Sequence, residues 1–475
     1  MGDNLLKKIT IENFKAFKSL EIDIKPLTIL VGPNSGGKSS IINSIKLIKQ
    51  TLDEGSEILQ FNGTIDFGKF EDVVHQNSQK KEMRFKLEFE DNTYFDVSIE
   101  KFHDGEIITT NFSCYTGEFG YTVEGVKKSA NITKMNVSFI PMKFVFKSQK
   151  NENLFQGINP LLHRNSFFYT IGDYFEQMDK KSLFEAVLHD YSSQYPASNI
   201  SEEEIKNCYY KILNSYSEIK RESNNFYENI KLKFKNIEYI EPIRNTANRS
   251  YKLAEENKVG YKGEYAVQVL SANVDLLKRV AKIFNEDLDI AKGLKPSISS
   301  DKETIELRIV TPITNPNSGV NFADVGCGTS QILPIIVQSL LVKEKTLTII
   351  EQPEAHLHPK VQADLGGFFV DSIKKIESKY IIETHSEYLI ERIRTRIMKE
   401  PQLAEKIAIY YIEQNEENAS SEKKEIIIDS NGDYSEIPKN YLTNISIREI
   451  DEQLDIMLLN RKLSSCKGRD VNGNS

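Results

Sequence analysis

Leu27-Thr28-Ile29-Leu30-Val31-Gly32-Pro33-Asn34-Ser35-Gly36-Gly37-Lys38-Ser39-Ser40 is the stretch on which the reading of this chain turns. Its β-branched and apolar start predicts a buried strand. The strand enters a loop of form G-x-x-x-x-G-K-S, in which each residue type has a mechanical reason. Glycines at 32, 36 and 37 let the backbone curl until successive N–H groups point at phosphate oxygens. Lys38 adds a point charge there, and the Ser39 hydroxyl is placed to ligate Mg²⁺. An amphipathic helix is expected from Lys38 to about Leu52, its positive end facing the anion. Gly32, Asn34, Ser35, Gly36, Gly37, Lys38, Ser39 and Ser40 are therefore the candidate phosphate-binding residues.

A second constellation lies far downstream. Ile349-Ile350-Glu351-Gln352-Pro353-Glu354-Ala355-His356-Leu357-His358-Pro359 reads as a buried strand ending on an acid, Glu351, suited to hold Mg²⁺ directly or through water. The next position is where a carboxylate orients an attacking water in such sites, and here it is Gln352. An amide can hold a water but cannot accept its proton. Slow turnover is expected unless Glu354 or a partner subunit takes over that role. His356 and His358, at i, i+2 before a helix-starting Pro359, fit a turn better than a zinc site. Another apolar strand, Tyr380–Glu383, leads to Thr384-His385-Ser386, where His385 could report on a terminal phosphate. Gly326-Cys327-Gly328-Thr329-Ser330-Gln331 offers a second anion-binding helix start, with Gly326, Gly328 and Ser330 as candidates.

Around these motifs the chain has 475 residues, enough for one large domain with insertions or for two to three domains. No apolar run approaches the roughly 20 residues that span a bilayer, and the N-terminus lacks a signal-peptide core. Four scattered cysteines form no disulfide or metal pattern, so a reducing cytoplasm is the expected compartment. A net charge of −8 argues against a surface coated for nucleic acid. A local basic groove is still open to Lys231, Lys233, Lys235, Arg244, Arg249, Arg392, Arg394, Arg396 and Lys399, although a solvated face is the simpler reading of each.

Periodicity orders the rest. Three strands are expected over Ile9–Phe14, Leu20–Ile24 and Leu27–Val31. About 64–147 should form an antiparallel sheet with one wet face, from alternation such as Met83–Phe89. Helical spacing rich in Tyr and Phe follows to about 235, then a strand at Ile237–Ile240 and helices over about 264–291. From Ile305 onward strand and helix alternate, which implies a parallel sheet covered on both faces, with ligands at the carboxyl ends of its strands. Gly32, Glu351 and His385 all stand at such ends. Gln414–Ser421 reads as a polar loop. Asp429-Ser430-Asn431-Gly432-Asp433 reads as a strand-ending turn rather than a metal loop.

Taken together, these residues resemble the ABC-type ATPases of the RecF, SMC and OLD group over most of 5–400. Asn13-Phe14-Lys15-Ala16-Phe17, Gly32–Ser39, Gly326–Gln331, Glu351–Pro359 and Thr384–Ser386 carry the resemblance, and Glu-x-Pro-Glu-x-His-Leu-His-Pro is its most specific part. Tyr239–Arg244 and Gly263-Glu264 are also similar to the standalone ATPases of Septu and PARIS anti-phage systems. The resemblance implies an α/β fold. Its parts would be an ABC-type P-loop ATPase head with a mostly parallel covered sheet, an antiparallel β subdomain and a helical insertion. The expected divisions are an N-terminal lobe at 1–149, the insertion at 150–235, a C-terminal lobe at 236–463 and a disordered tail at 464–475. It implies ATP and Mg²⁺ as cofactors, with Ser39, Glu351 and, from the family's Q-loop, Gln76 at the metal. Gln352, Glu354 and His385 would be the catalytic group. Partners would be a second copy in a head-to-tail dimer, each ATP lying between Lys38, Ser39, Glu351 and His385 of one chain and Gly326–Ser330 of the other. A TOPRIM nuclease and a long SMC coiled coil are both missing from the pattern. The implied function is a slow ATPase that controls a separate effector, a nuclease, in phage defence. The alternative is a RecF-like repair ATPase that binds DNA and loads a partner. No membrane partner is expected.

Overall fold

The computed structural model describes residues 5–54, 59–76, 82–101, 107–116, 120–128, 131–140, 221, 224–312, 319–342, 344–375, 377–415, 417, 419–429 and 431–435. The chain opens with β1 (Leu6–Phe14), β2 (Phe17–Asp23) and β3 (Leu27–Val31), followed by α1 (Lys38–Asp53) and the single turn α2 (Phe70–Val73). Next come β4 (Glu82–Phe89), β5 (Tyr94–Lys101), β6 (Ile107–Tyr115), β7 (Gly120–Lys128) and β8 (Asn131–Ile140). A helix over 224–235, α3, leads to β9 (Ile237–Ile240) and β10 (Tyr251–Lys252). The remaining helices are α4 (Ala266–Ala272), α5 (Val274–Lys282), α6 (Cys327–Leu341), α7 (Pro359–Lys375) and α8 (Glu387–Lys399). Interleaved with them are β11 (Gly293–Ile298), β12 (Thr304–Val310), β13 (Val320–Asn321), β14 (Leu347–Glu351), β15 (Lys379–Glu383), β16 (Ile407–Asn415) and β17 (Ser420–Ile426).

Three sheets result. A seven-stranded antiparallel sheet runs β2-β1-β4-β5-β6-β7-β8. In β4 every second residue is buried, the alternation that its sequence promises for a sheet with one wet face. A four-stranded antiparallel sheet joins β10, β12 and β11, with β13 beside β12. The six-stranded sheet that positions the site runs β17-β16-β3-β15-β14-β9 and is parallel except for the β16–β17 edge pair. Its central strands β3, β14 and β15 are buried at every residue, as a sheet covered on both faces requires. One apolar cluster packs α1 and the antiparallel sheet on one side of it, including Ile41, Ile45, Ile48, Phe85 and Phe89. A second packs α4 to α8 on the other, including Leu270, Ile335, Phe369 and Ile393.

Most expected elements are found within a residue or two. Two are corrected. Gln414–Ser421 is not one loop: Gln414 and Asn415 end β16, Ser420 and Ser421 begin β17, and the two strands pair antiparallel. The Pro-containing β11 was not expected; among the described strands it pairs only with β12, an edge position where Pro296 is tolerated. The 429–433 segment is a turn, with Asp429 Oδ1 accepting the N–H groups of Asn431 and Asp433 at 2.8 Å and Gly432 at φ +85°. Of the expected helical insertion, residues 221 and 224–235 are helical and the rest lies outside the described residues, as does the expected tail at 464–475. Among the described residues no helix is long and apolar enough to cross a membrane.

Candidate nucleotide site

The loop between β3 and α1 curls as its glycines require. Gly32 sits at φ +137°, Ser35 at +63° and Gly37, which caps α1, at +108°. A Cβ on Gly32 or Gly36 would overlap the backbone oxygen of Ile412 in β16, so the loop lies flat on the neighbouring strand. A Cβ on Gly37 would press on Ala16, Phe17 and the Ser421 hydroxyl. The β1–β2 turn is itself tied to β17, Ser421 N–H donating to Ala16 O at 2.7 Å and Lys18 N–H to Ser420 Oγ at 2.9 Å. The Asn13–Phe17 motif thus shapes one wall of the cradle. Asn34 and Ser35 are exposed at its tip. Lys38 is 3 % exposed and its Nζ donates to the carbonyls of Gly32 at 3.0 Å and Pro33 at 2.9 Å. Burial pulls the Lys38 ammonium below its ordinary pKa, against the attraction of Glu383 and Glu354.

Three carboxylates gather at the strand ends beneath this loop. Glu351 and Glu383 are register partners on adjacent parallel strands. Tyr239 of β9 donates its hydroxyl to Glu351 Oε1 at 2.5 Å, and Lys46 of α1 lies 3.7 Å from the same oxygen and 3.9 Å from the Tyr239 ring centre. Ser39 Oγ reaches Glu383, 3.1 and 3.0 Å from its two oxygens, not Glu351. Burial, then the charge of Glu351, pushes Glu383 up to about 7. Glu354 Oε1 accepts the backbone N–H of His385 at 2.6 Å, while its Oε2 is shielded from solvent and has no hydrogen-bond partner among the described residues. Burial raises the Glu354 pKa, and burial with the nearby Lys38 charge lowers that of His385.

Arg244 ties the site together from below. It is 3 % exposed and donates to Gln352 O at 2.9 Å and to Glu351 O, Glu241 O and Gln331 Oε1 at 3.3 Å. Gln331 Nε2 returns a bond to Arg244 O at 3.2 Å, so the guanidinium joins α6 to the end of β14. Gln352 stands at φ +46°, its N–H donating to Glu383 O at 2.7 Å.

The expected residues therefore divide. Gly32 to Ser40, Glu351, Glu354 and His385 cluster at one end of the parallel sheet. Gly326 is exposed at the start of α6 with open space beside it, and Gly328 packs on His356 O and Leu357. Ser330 is 6 % exposed and donates to Cys327 O within its own helix. Gln76 is exposed, just after His75, whose Nδ1 is 2.9 Å from Lys15 O. Two cations proposed for a basic groove are not surface groups. Arg244 is in the site, and Lys233, with a fully buried side chain, pairs with Asp91 at 2.5 Å. Tyr239, Lys46 and Glu383 are site residues to which sequence reasoning gave no role.

These residues fit a nucleotide with a divalent cation. The glycine curl stands at the N-terminus of α1, an end suited to phosphate, and a Ser hydroxyl beside carboxylates is an all-oxygen donor set suited to Mg²⁺. Among the described residues no three His, Cys, Asp or Glu side chains form a ready-made metal cage.

The family model described as "AAA ATPase domain" matches residues 5–390. The chain belongs to this AAA ATPase domain family. It is 22 % identical over 418 residues to the Retron Vc95 probable ATPase of Vibrio cholerae serotype O1 biovar El Tor, covering 83 % of this chain and 73 % of that protein. A 44-residue segment is 36 % identical to the OLD nuclease of Thermus scotoductus, 9 % of this chain and 8 % of that protein. Among solved structures, the Smc head domain of Pyrococcus furiosus, bound to the C-terminal domain of ScpA, aligns with a TM-score of 0.41 and 11 % identity, covering 89 % of this chain and 96 % of that one. At that score the two shapes agree loosely.

Proposed function

We propose that this ATPase is the sensor or scaffold subunit of an anti-phage system, binding ATP, hydrolysing it slowly and controlling a separate effector, a nuclease. The observation that carries the reading is Gln352. It follows the strand-ending acid where an attacking water would be oriented, and it cannot take that water's proton. Around it the nucleotide machinery is intact: the curled loop, Lys38, Ser39 and buried carboxylates. The likeness to a retron ATPase supports the defence setting. Mg²⁺ bound with ATP would neutralise charge developing on the transferred phosphoryl group. Ser39 and the strand-end carboxylates would hold it, with Gln76 at its edge. Lys38 and backbone N–H groups of the loop would hold the phosphates, and His385 would sense the terminal one. A second copy would close the site with Gly326, Gly328 and Ser330, giving an ATP-dependent head-to-tail dimer whose opening changes the effector's state.

Two measurements test this. Native mass of the chain co-expressed with its neighbouring genes should show a second polypeptide in an ATP-dependent assembly; a lone dimer whose turnover is stimulated by DNA would favour the repair reading instead. Steady-state phosphate release should rise at least about tenfold in Gln352→Glu. An unchanged rate would mean that this position does not restrain turnover.

A further inference from the structure

The strand-ending acid of the Glu351–Pro359 motif is the residue that motif reading assigns to the metal. The geometry points to a different carboxylate: we propose that Glu383, on the neighbouring strand β15, is the principal protein carboxylate for the nucleotide-bound divalent cation, and that Glu351 positions the site without supplying the main contact. The proposal rests on the nucleotide-binding reading above and assigns a residue within it.

Two sets of contacts, set in the strand register, support it. The hydroxyl assigned to the cation is that of Ser39, and both of its near carboxylate oxygens, at 3.0 and 3.1 Å, belong to Glu383 across 344 residues of sequence. A cation taking Ser39 Oγ as ligand meets Glu383 first. Glu351, in contrast, already has partners of its own. Its Oε1 accepts the Tyr239 hydroxyl at 2.5 Å and lies 3.7 Å from Lys46 Nζ, and that ammonium also sits 3.9 Å over the Tyr239 ring. Moving Oε1 to a metal would strip the buried Tyr239 hydroxyl of its acceptor and draw the countercharge away from Lys46, whose Nζ donates to that hydroxyl at 2.6 Å. Finally, the register pairs Glu351 with Glu383 across β14 and β15, so the two carboxylates are interchangeable in height along the sheet and differ only in which side chains flank them. The flanking groups decide between them: α1 brings Ser39 to one and Lys46 to the other.

The roles predict different responses. Removing the charge that faces the cation weakens the cation directly. Removing the charge held by Tyr239 and Lys46 disturbs the metal indirectly, through packing and through the charge it places beside Glu383.

The test is Mn²⁺ titrated into the full chain loaded with ADP, with free Mn²⁺ read by electron paramagnetic resonance. ADP affinity is first measured in EDTA. Its absence in the wild type would overturn the nucleotide-site reading itself, whereas unchanged metal-free ADP affinity in a variant shows that the variant folds and keeps the cradle. Glu383→Gln should weaken Mn²⁺ by at least about tenfold, and Glu351→Gln by less than about threefold. If Glu383→Gln loses metal-free ADP binding, Glu383→Asp, which keeps the charge and withdraws it by one methylene, serves for the same ranking. Equal losses, or a larger loss from Glu351→Gln, would overturn the assignment and return the cation to Glu351.

Discussion

Arg244 is where this architecture is most exposed to a single change. Its guanidinium donates to the carbonyls of Glu351, Gln352 and Glu241 and to Gln331 Oε1. Arg244→Ala removes four charge-assisted bonds, each contributing about 1.5 kcal/mol, and leaves buried acceptors unpaired. The loss is partly offset. Burial has pulled the Arg244 pKa from 12.5 to about 10, a cost of about 3 kcal/mol at 1.36 kcal/mol per pKa unit, and that cost disappears with the charge. The net expectation is a destabilisation of about 3 kcal/mol. Arg244→Lys should recover less than half of it, because an ammonium cannot replace a planar fork that reaches β14 and α6 at once. The assay is urea unfolding of the nucleotide-free chain, followed by amide exchange over 327–341. Both variants should lose protection at the start of α6, since Gln331 is the helix residue that the guanidinium ties to the strand. Destabilisation below about 1 kcal/mol, or α6 protection that does not change, would refute the view that Arg244 couples the two.

Further outcomes follow from the same geometry. Gly32→Ala puts a side chain at φ +137° against the Ile412 carbonyl and should cost about 2 kcal/mol or more, read as a lowered melting temperature. Lys38→Ala should weaken a fluorescent ATP analogue by at least about tenfold, because the phosphates lose the one cation that the loop carries; near-wild-type affinity would remove Lys38 from the phosphate contacts. The wild type in EDTA should unfold at higher urea at pH 5 than at pH 8. Glu383 has its folded pKa raised to about 7 from 4.5, so between those values the folded state keeps a proton that the unfolded chain has released, and stability falls as pH rises. That group accounts for up to about 3 kcal/mol, and Glu383→Gln should flatten this part of the profile.

Much of this was legible in the sequence for a definite reason. β3, β14 and β15 are buried throughout and apolar at their centres because both faces are covered, and the glycine loop after β3 and the acid that ends β14 announce the site. β16 and β17 were not read as a pair. β17 places Glu422, Lys423, Lys424 and Glu425 in the open, so a charged edge strand imitates a loop. The carboxylate that meets Ser39 was invisible for a different reason. Glu383 looks like the polar end of a core strand, and its importance comes from a contact spanning 344 residues. Lys233 and Arg244 show the converse. Weighed as cations of a basic groove and read more simply as solvated, each is buried on an acceptor that only the fold supplies.

Parallel register makes the site costly by construction. Adjacent strands lie about 4.8 Å apart, so β14 and β15, ending at the same height, bring two buried glutamates together. Tyr239 and Lys46 satisfy one of them. The other has a neutral hydroxyl, Ser39, and its raised pKa records what remains unbalanced. A sheet selected for stability alone would place an amide or an apolar residue at 383. Keeping a carboxylate there makes sense if a cation completes the site, since the repulsion that weakens the empty fold becomes attraction once positive charge arrives. On this reasoning Gln352 and Glu383 are complementary. On the function proposed above, the amide at 352 would restrain the attack of water and the carboxylate at 383 would favour holding the metal and its nucleotide, so that bound ATP would last long enough to act as a signal.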